Sequence, residues 1–275
     1  MAFSFHRAMD HAGAVAGAAM SALLLWAFLG YALWHGGHEK PSADEMSALR
    51  WVFALALIPG LLAMVTLGWK VKEVASQTAK KAPAAGGRLP GRFYGFLGVV
   101  TLFTLGNSSD LFLVLYGKTM FGLSLLSVIG LWVMLHLSKI IFSIPGGVLS
   151  DRWGRRGVLV AGWTVYAGVY VGMAFVRATW LFWLLIFLYG AYYGLSEGAE
   201  KALVADFAPA ESRGKAFGMY HAAVGLAALP ASFVFGVFWA QLGPAAAFGI
   251  GAGLAVAALA LLVVLLSAGP GKQAA

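Results

Sequence analysis

The sequence predicts an all-α bundle of about eight transmembrane helices, and three observations support this prediction. Hydrophobic residues make up 61% of the 275 residues and charged residues only 11%, with a mean hydropathy of +0.82. A soluble domain carries roughly 25% charged residues. Apolar runs of membrane-spanning length recur along the chain, and the basic residues concentrate in alternate loops. The surplus of apolar surface therefore requires lipid as its solvent.

Eight apolar runs of about 20 residues are long enough to cross a hydrocarbon core of ~30 Å. Each run is expected to be helical, because a chain in lipid must satisfy its own backbone hydrogen bonds. The alternation of apolar and polar residues that marks a membrane strand is absent. In chain order, the predicted spans cover residues 12–34, 49–69, 93–116, 123–149, 157–176, 180–204, 217–241 and 245–267.

The distribution of basic residues orients these spans. An even number of spans places both termini on one side. The loops on that side hold 13 basic residues, namely Arg7, Lys70, Lys72, Lys80, Lys81, Arg88, Arg92, Arg152, Arg155, Arg156, Arg213, Lys215 and Lys272. The opposite loops hold only Lys40, Arg50, Lys118 and Arg177. Loops rich in Lys and Arg stay in the cytoplasm. We therefore expect a multi-pass protein of the inner or plasma membrane with cytoplasmic termini, whose net charge of +8 needs no nucleic-acid partner.

Two loops differ from the apolar spans in composition. Residues 70–92 are basic and rich in Ala, Gly and Pro, which predicts a cytoplasmic linker between a two-helix segment, 1–69, and a six-helix segment, 93–275. The loop at residues 35–48 contains H-G-G-H-E. That pattern is weak for a metal site, and an ordinary polar loop is the favoured interpretation. With no cysteines, thiolate sites and disulfides are excluded, and no cofactor is expected.

An internal repeat relates the two segments. Residues 2–15, AFSFHRAMDHAGAV, resemble residues 216–229, AFGMYHAAVGLAAL. The second copy begins the fifth of the six spans that follow the linker. If the two halves are parallel repeats, as in two-halved transporters, residues 1–69 are the last two helices of a first half and residues 93–275 are a six-helix second half.

The loop after the fourth predicted span carries a ten-residue motif. It reads GVLSDRWGRR from Gly147 to Arg156. A glycine permits close approach at a helix end, an aspartate can face the positive end of a neighbouring helix, and arginines keep a loop cytoplasmic. The alternative is a generic basic loop. The motif resembles the G-x-L-x-D-R-x-G-R-R signature of the major facilitator superfamily, and the matching positions are Gly147, Asp151, Arg152, Gly154, Arg155 and Arg156.

The resemblance extends along the chain. Residues 197–218 are similar to the segment that joins helices ten and eleven in bacterial facilitator transporters, so the chain resembles helices five to twelve. The family implies a secondary transporter, not an enzyme, in which two halves rock about a midplane site. We expect proton-coupled export of a small organic molecule. The alternative is a non-transporting membrane protein, either a transporter remnant or a partner subunit.

Ionisable residues at membrane depth are candidate functional groups, because their burial is costly unless they are paired or hydrated. The candidates for the substrate path or for coupling are Asn107, Asp110, His136, Lys139, Tyr193, Glu197 and Glu200. The polar run at Asn107–Asp110 either meets substrate or marks a helix break satisfied by water or a neighbour. Lys139 and Glu197 lie at similar depth in their spans, which predicts an ion pair with His136 and Glu200 nearby. That pair either couples protons or fixes helix packing.

Two further patterns have competing interpretations. Residues 194–198, GLSEG, match the G-x-S-x-G motif of serine hydrolases, with His136 as the candidate base for Ser196. A position within an apolar helix argues against that chemistry. Glycines at four-residue spacing predict close helix packing. They occur at Gly13 and Gly17, at Gly168 and Gly172, at Gly190, Gly194 and Gly198, and at Gly249 and Gly253. The alternative interpretation of these glycines is a dimerisation face.

Overall fold

The computed structural model describes residues 2–30, 42–70 and 88–267, and these residues form helices and short connections, without strands. Most of the linker, the H-G-G-H-E loop and residues 268–275 lie outside the described residues. The helices are α1 (Ala2–Leu29), α2 (Ala43–Leu55), α3 (Leu57–Lys70), α4 (Gly91–Gly106), α5 (Leu111–Phe121), α6 (Leu125–Trp153), α7 (Arg155–Phe175), α8 (Thr179–Phe207), α9 (Arg213–Leu242) and α10 (Pro244–Ser267).

Eight helical stretches are long and apolar enough to cross a membrane, which confirms the predicted number of spans within the described residues. Six of these stretches contain one long helix each. The other two each join two helices, α2 with α3 and α4 with α5. The helices also extend past the predicted spans, as α6 does to Trp153 and α8 to Phe207. Hydropathy marks only the part of a helix that sits in hydrocarbon.

The break between α2 and α3 has a local cause. Pro59 has no backbone N–H, so the carbonyl of Leu55 loses its helical partner. The chain turns at Ala56, whose N–H still reaches the carbonyl of Val52 at 3.0 Å. At the start of α2, Glu45 and Ser42 form a capping box, so the polar loop predicted for residues 35–48 ends earlier than expected.

The segment from α4 to α10 forms one packed block. In it α8 lies between α6 and α7, while α10 packs against α7 and α4, and α9 against α4 and α10. Its interior is aromatic, with fully buried rings of Phe93, Trp163, Tyr166, Tyr170 and Tyr189. Helix α1 packs on α6 and, less extensively, on α8. The described part of the chain therefore contains a six-span block, α4 to α10, and the first span, α1, packs against its surface.

The seam between α6 and α8 is built from glycines. A Cβ on Gly146 would lie 2.5 Å from the carbonyl oxygen of Gly194, and one on Gly194 would lie 2.6 Å from the carbonyl carbon of Phe142. A Cβ on Gly190 would lie 2.5 Å from the Ser138 side chain. The two backbones therefore touch, and the close packing predicted for Gly190 and Gly194 is confirmed.

The other predicted glycine faces behave differently. Gly172 is also close-packed, since a Cβ there would meet Leu185 at 2.7 Å. The prediction is wrong for five others, around which no described atom lies within 4 Å of an added Cβ: Gly13, Gly17, Gly168, Gly249 and Gly253. For Gly198 it stays a prediction. Four-residue spacing places glycines on one face, but it does not bring a neighbouring helix to that face.

Candidate functional site

A cavity of about 580 Å³ opens where α4 gives way to α5, between those helices and α6, α8 and α9. Its wall combines aromatic rings with hydroxyl, amide and carboxyl groups. Five of the seven candidate residues from the sequence line it, namely Asn107, Asp110, Tyr193, Glu197 and Glu200. The other two, His136 and Lys139, lie on α6 beside it. The volume lies in the range of small-molecule sites, about 300–1,000 Å³.

The helix break at Asn107 shapes one wall of this cavity. Asn107 has an extended backbone, and the freed carbonyl of Gly106 accepts a hydrogen bond from the Tyr166 hydroxyl at 2.9 Å. The Asn107 amide nitrogen donates to the Tyr192 hydroxyl at 3.4 Å, and its oxygen lies 3.3 Å from the Tyr189 hydroxyl. The sequence left open whether this polar run meets substrate or breaks a helix. The structure has the break, and neighbouring tyrosines form hydrogen bonds with the Gly106 carbonyl and the Asn107 side chain. The contact with substrate stays a prediction.

Asp110 and Lys139 form a buried ion pair at the end of the break. The Lys139 ammonium donates to Oδ2 of Asp110 at 3.2 Å, and it lies 3.8 Å from the centre of the Tyr193 ring. Oδ1 of Asp110 accepts hydrogen bonds from the hydroxyls of Tyr189 at 2.9 Å and Tyr193 at 3.4 Å. Both charges therefore have partners, as burial at membrane depth requires.

The predicted pair between Lys139 and Glu197 is wrong. Glu197 instead accepts from Lys201 at 3.1 Å and from Arg7 at 2.7 Å. Lys201 lies one helical turn further along α8, while Arg7 comes from α1. Residues at similar membrane depth can contact each other, but the break in the helix at Asn107 places the Asp110 carboxylate, and not that of Glu197, beside Lys139. Depth alone cannot rank two carboxylates that both reach the same region.

His136 has a partner that the sequence did not indicate. Its Nδ1 lies 3.0 Å from Nδ1 of His11 on α1, and its ring also lies 5.2 Å from the Trp132 ring, centre to centre. The two imidazoles join α1 to α6. Glu200 lies on the other side of the cavity and accepts a hydrogen bond from the Tyr220 hydroxyl on α9 at 2.6 Å. The predicted cluster is therefore divided among several pairs.

The motif loop is a tight connection between α6 and α7 at Gly154, which has φ +86°. Arg155 pairs with Asp206 near the end of α8 and donates to the carbonyl of Ala202 at 3.2 Å. Arg156 donates to the carbonyl of Leu266 at the end of α10 at 3.2 Å. Two of the motif arginines thus bind the C-terminal ends of neighbouring helices, where the helix dipole favours a cation.

Asp206 is a site residue that the sequence analysis missed. It shares a second cavity, of about 440 Å³, with Asp151, Gly154 and Arg155. Asp206 lies in the segment of residues 197–218, which resembles the family as a whole, but the resemblance does not single out any one residue in it. Gly147 is buried in α6, and its neighbour Gly146 makes a close backbone approach to Gly194 of α8.

The hydrolase interpretation gains no support from the geometry. Ser196 lies inside α8, is buried, and donates its hydroxyl to the carbonyl of Tyr192 at 2.7 Å. The candidate base, His136, contacts His11 instead. A serine nucleophile needs a base within hydrogen-bond reach, and neither residue offers this to the other.

Eight membrane-spanning helical stretches, four of which line a charged cavity at a broken helix, are typical of a polytopic membrane protein of the transporter class. The chain belongs to the Major Facilitator Superfamily, whose family model matches residues 126–275. It is 31% identical over 270 residues to the MFS-type transporter MJ1317 of Methanocaldococcus jannaschii, covering 96% of this chain and 63% of that protein. It is 30% identical over 179 residues to the inner membrane transport protein YajR of Escherichia coli, and the match covers 63% of this chain and 39% of YajR.

A solved structure agrees with the fold. The human organic anion transporter MFSD10 (TETRAN) superposes with a TM-score of 0.55 at 16% identity, covering 88% of this chain and 45% of that one. The chain thus spans less than two thirds of the length of each of these three proteins. The fold and family are shared along nearly the whole chain.

Proposed function

We propose that the chain acts in proton-coupled export of a small organic molecule across the inner or plasma membrane, with both termini in the cytoplasm. It supplies no enzymatic step. The observation that carries the proposal is the cavity of about 580 Å³ at a broken membrane helix, with the Asp110–Lys139 pair in its wall.

Asp110 is the coupling group in this proposal. A proton on its carboxyl group cancels the charge that Lys139 faces, and a buried cation without a partner is costly. The same carboxylate accepts from Tyr189 and Tyr193 on α8. Protonation therefore changes the bonds between α5, α6 and α8 at once. This role replaces the one expected for the Lys139–Glu197 pair.

The cytoplasmic end supplies the conformational element. Arg155 joins the start of α7 to Asp206 on α8, and Arg156 joins it to the end of α10. Both bonds lie within the second half, so they hold α7, α8 and α10 together while the two halves rock about a central site. We assign residues 1–69 to the last two helices of the first half, 70–92 to the cytoplasmic linker and 93–275 to the second half.

The transport test uses proteoliposomes that contain a pH-sensitive dye. A panel of organic compounds is added across an imposed pH gradient, and an active compound releases protons through the wild-type chain. Asp110→Asn should abolish that proton movement, whereas Lys118→Met, at an exposed lysine of α5, should preserve it. Proton movement that survives in Asp110→Asn contradicts the coupling role.

A second candidate function is a non-transporting membrane protein or partner subunit. The chain spans 63% of the length of MJ1317, so the transport test includes a longer form. The same assay is run on the 275-residue chain and on a form fused to the part of MJ1317 that the chain does not match. Flux only in the fused form means that the 275 residues do not transport by themselves and that the chain is a truncated transporter.

Orientation is tested by cysteine labelling, since the chain has no cysteine. Ser76→Cys in the linker should react with a membrane-impermeant maleimide in inside-out vesicles only. Lys118→Cys should react in intact cells only. The reverse pattern overturns the assignment of cytoplasmic termini.

A further inference from the structure

The carboxylates of the large cavity differ in what they face. Three of them line its wall: Asp110, Glu197 and Glu200. Asp110 is paired with Lys139, and Glu197 has two basic partners. Among the described residues, Glu200 has no basic side chain within 4 Å, and the partner it has is the neutral hydroxyl of Tyr220. Glu200 is therefore the cavity carboxylate whose charge has no ion-pair partner in the described structure.

The cavity surface has a uniform electrostatic sign. No Lys, Arg or His is among the described residues that line it, although basic side chains bind Asp110 and Glu197. A solute in the cavity therefore meets carboxylate oxygens and hydroxyls. An organic anion would have to approach these carboxylates without a basic side chain to bind it, which is costly in a region shielded from water.

Aromatic rings line the same cavity as Glu200. Phe103, Trp132, Tyr192 and Tyr193 line the cavity, and Tyr192 and Tyr193 lie 4.7 Å apart, centre to centre. The faces of aromatic rings attract cations, and their apolar area binds the hydrocarbon part of a ligand. A carboxylate beside several rings is the arrangement that binds organic cations.

We propose that this cavity binds organic cations, with the positive centre against Glu200 and the apolar body against Phe103, Trp132, Tyr192 and Tyr193. This inference rests on the proposed function, which it extends to a class of substrate. Asp110 and Glu197 do not anchor the ligand, since each would first have to give up an ion pair. Selection by charge is therefore made at Glu200.

The test measures binding to the purified chain in nanodiscs by equilibrium dialysis, so it does not depend on transport. Tetraphenylphosphonium is the probe, and tetraphenylborate is its match in shape with the opposite charge. Empty nanodiscs give the lipid partition of each ion, which is subtracted. We expect saturable binding of the phosphonium and none of the borate. Equal saturable binding of both ions, or no binding of the phosphonium, overturns the proposal.

Variants locate the positive centre. Glu200→Gln keeps the size and the hydrogen-bonding groups of the side chain, and it should weaken phosphonium binding at least about tenfold, as the loss of a close charge partner does. Glu200→Asp should restore part of the affinity. Glu211→Gln, on the exposed turn before α9, is the control and should leave the Kd unchanged. Binding that is unaltered in Glu200→Gln overturns the assignment.

A second substitution guards against misfolding as an explanation. Tyr220→Phe removes the hydroxyl but keeps both the ring and the charge of Glu200, so phosphonium binding should stay within about threefold of wild type. Loss of binding in Tyr220→Phe equal to that in Glu200→Gln means that the local structure, and not the charge, is responsible, and it overturns the proposal.

The proposed function and this inference can fail separately. If phosphonium binds in a Glu200-dependent way but no compound moves protons, coupling fails and the cation site stands. If anionic or neutral compounds move protons through Asp110 and phosphonium does not bind, transport stands and the cation site is overturned.

Discussion

The second span and helix α7 are both apolar, but they differ in what surrounds them. None of the residues of α3 is buried, although Ala43–Lys70 is more apolar than Arg155–Phe175. In α7, Trp163, Tyr166 and Tyr170 are fully buried. Hydropathy places a helix in the membrane, but it does not say whether the helix faces lipid or protein. Inside a bilayer, close packing and polar contacts separate the two environments.

The N-terminal spans, α1 to α3, and the six-span block, α4 to α10, also differ in the burial of their charged residues. Lys139 is buried within the six-span block with a single carboxylate partner, whereas Arg7 of α1 is about one-third exposed and meets Glu197, which also has Lys201. The glycines of α1 and of the α6–α8 seam also differ. No described atom lies within 4 Å of a Cβ added to Gly13 or Gly17, whereas the seam glycines contact the facing helix. The block should therefore be sensitive to single substitutions that the N-terminal spans tolerate.

The largest effect is expected for Lys139→Met. It leaves Asp110, which lies in the cavity wall, without its cation, and breaking a buried pair from one side costs up to about 3–5 kcal/mol. The measurement is the free energy of unfolding in mixed micelles. The double variant Lys139→Met with Asp110→Asn should recover much of the loss, because no uncompensated charge remains. A double variant as unstable as the single one contradicts the importance of the pair.

An intermediate effect is expected for Gly194→Val. Its new side chain would overlap the α6 backbone at Phe142, and overpacking costs about 1–3 kcal/mol, or more where backbone must move. The matched control is Gly17→Val on α1, where no described atom is near. That variant should stay within about 0.5 kcal/mol of wild type, since valine is no worse a helix former than glycine. Equal losses in the two variants would remove the distinction between the regions.

The smallest effect is expected for Arg7→Gln. Glu197 keeps Lys201, and partly exposed pairs contribute about 0–1 kcal/mol. The same unfolding assay should therefore show a loss below about 1 kcal/mol. A loss as large as that of Lys139→Met would mean that α1 is as integral to the core as α6, and the comparison between the two regions would fail.

The fold was accessible from the sequence, because length and hydropathy determine which segments can span a bilayer. The breaks within spans were less accessible. Pro59 was a usable signal for the first break, and the polar run from Asn107 to Asp110 for the second. The partners of Lys139 and Glu197 were not accessible, since both depend on tertiary placement: Asp110 follows a break, and Arg7 comes from a helix whose docking no local pattern encodes.

The broken span has a mechanical consequence. A continuous helix moves as one rod, so a push at one end displaces the other. At Asn107–Asp110 the helix is interrupted, and the Gly106 carbonyl accepts a hydrogen bond from Tyr166 of α7 instead of from the next helical turn. Side-chain hydrogen bonds contribute about 0.5–1.5 kcal/mol each and can exchange partners. Side-chain contacts, such as that of the Tyr116 hydroxyl with the Met173 carbonyl, therefore hold α5 in place relative to α4, instead of a continuous run of helical hydrogen bonds.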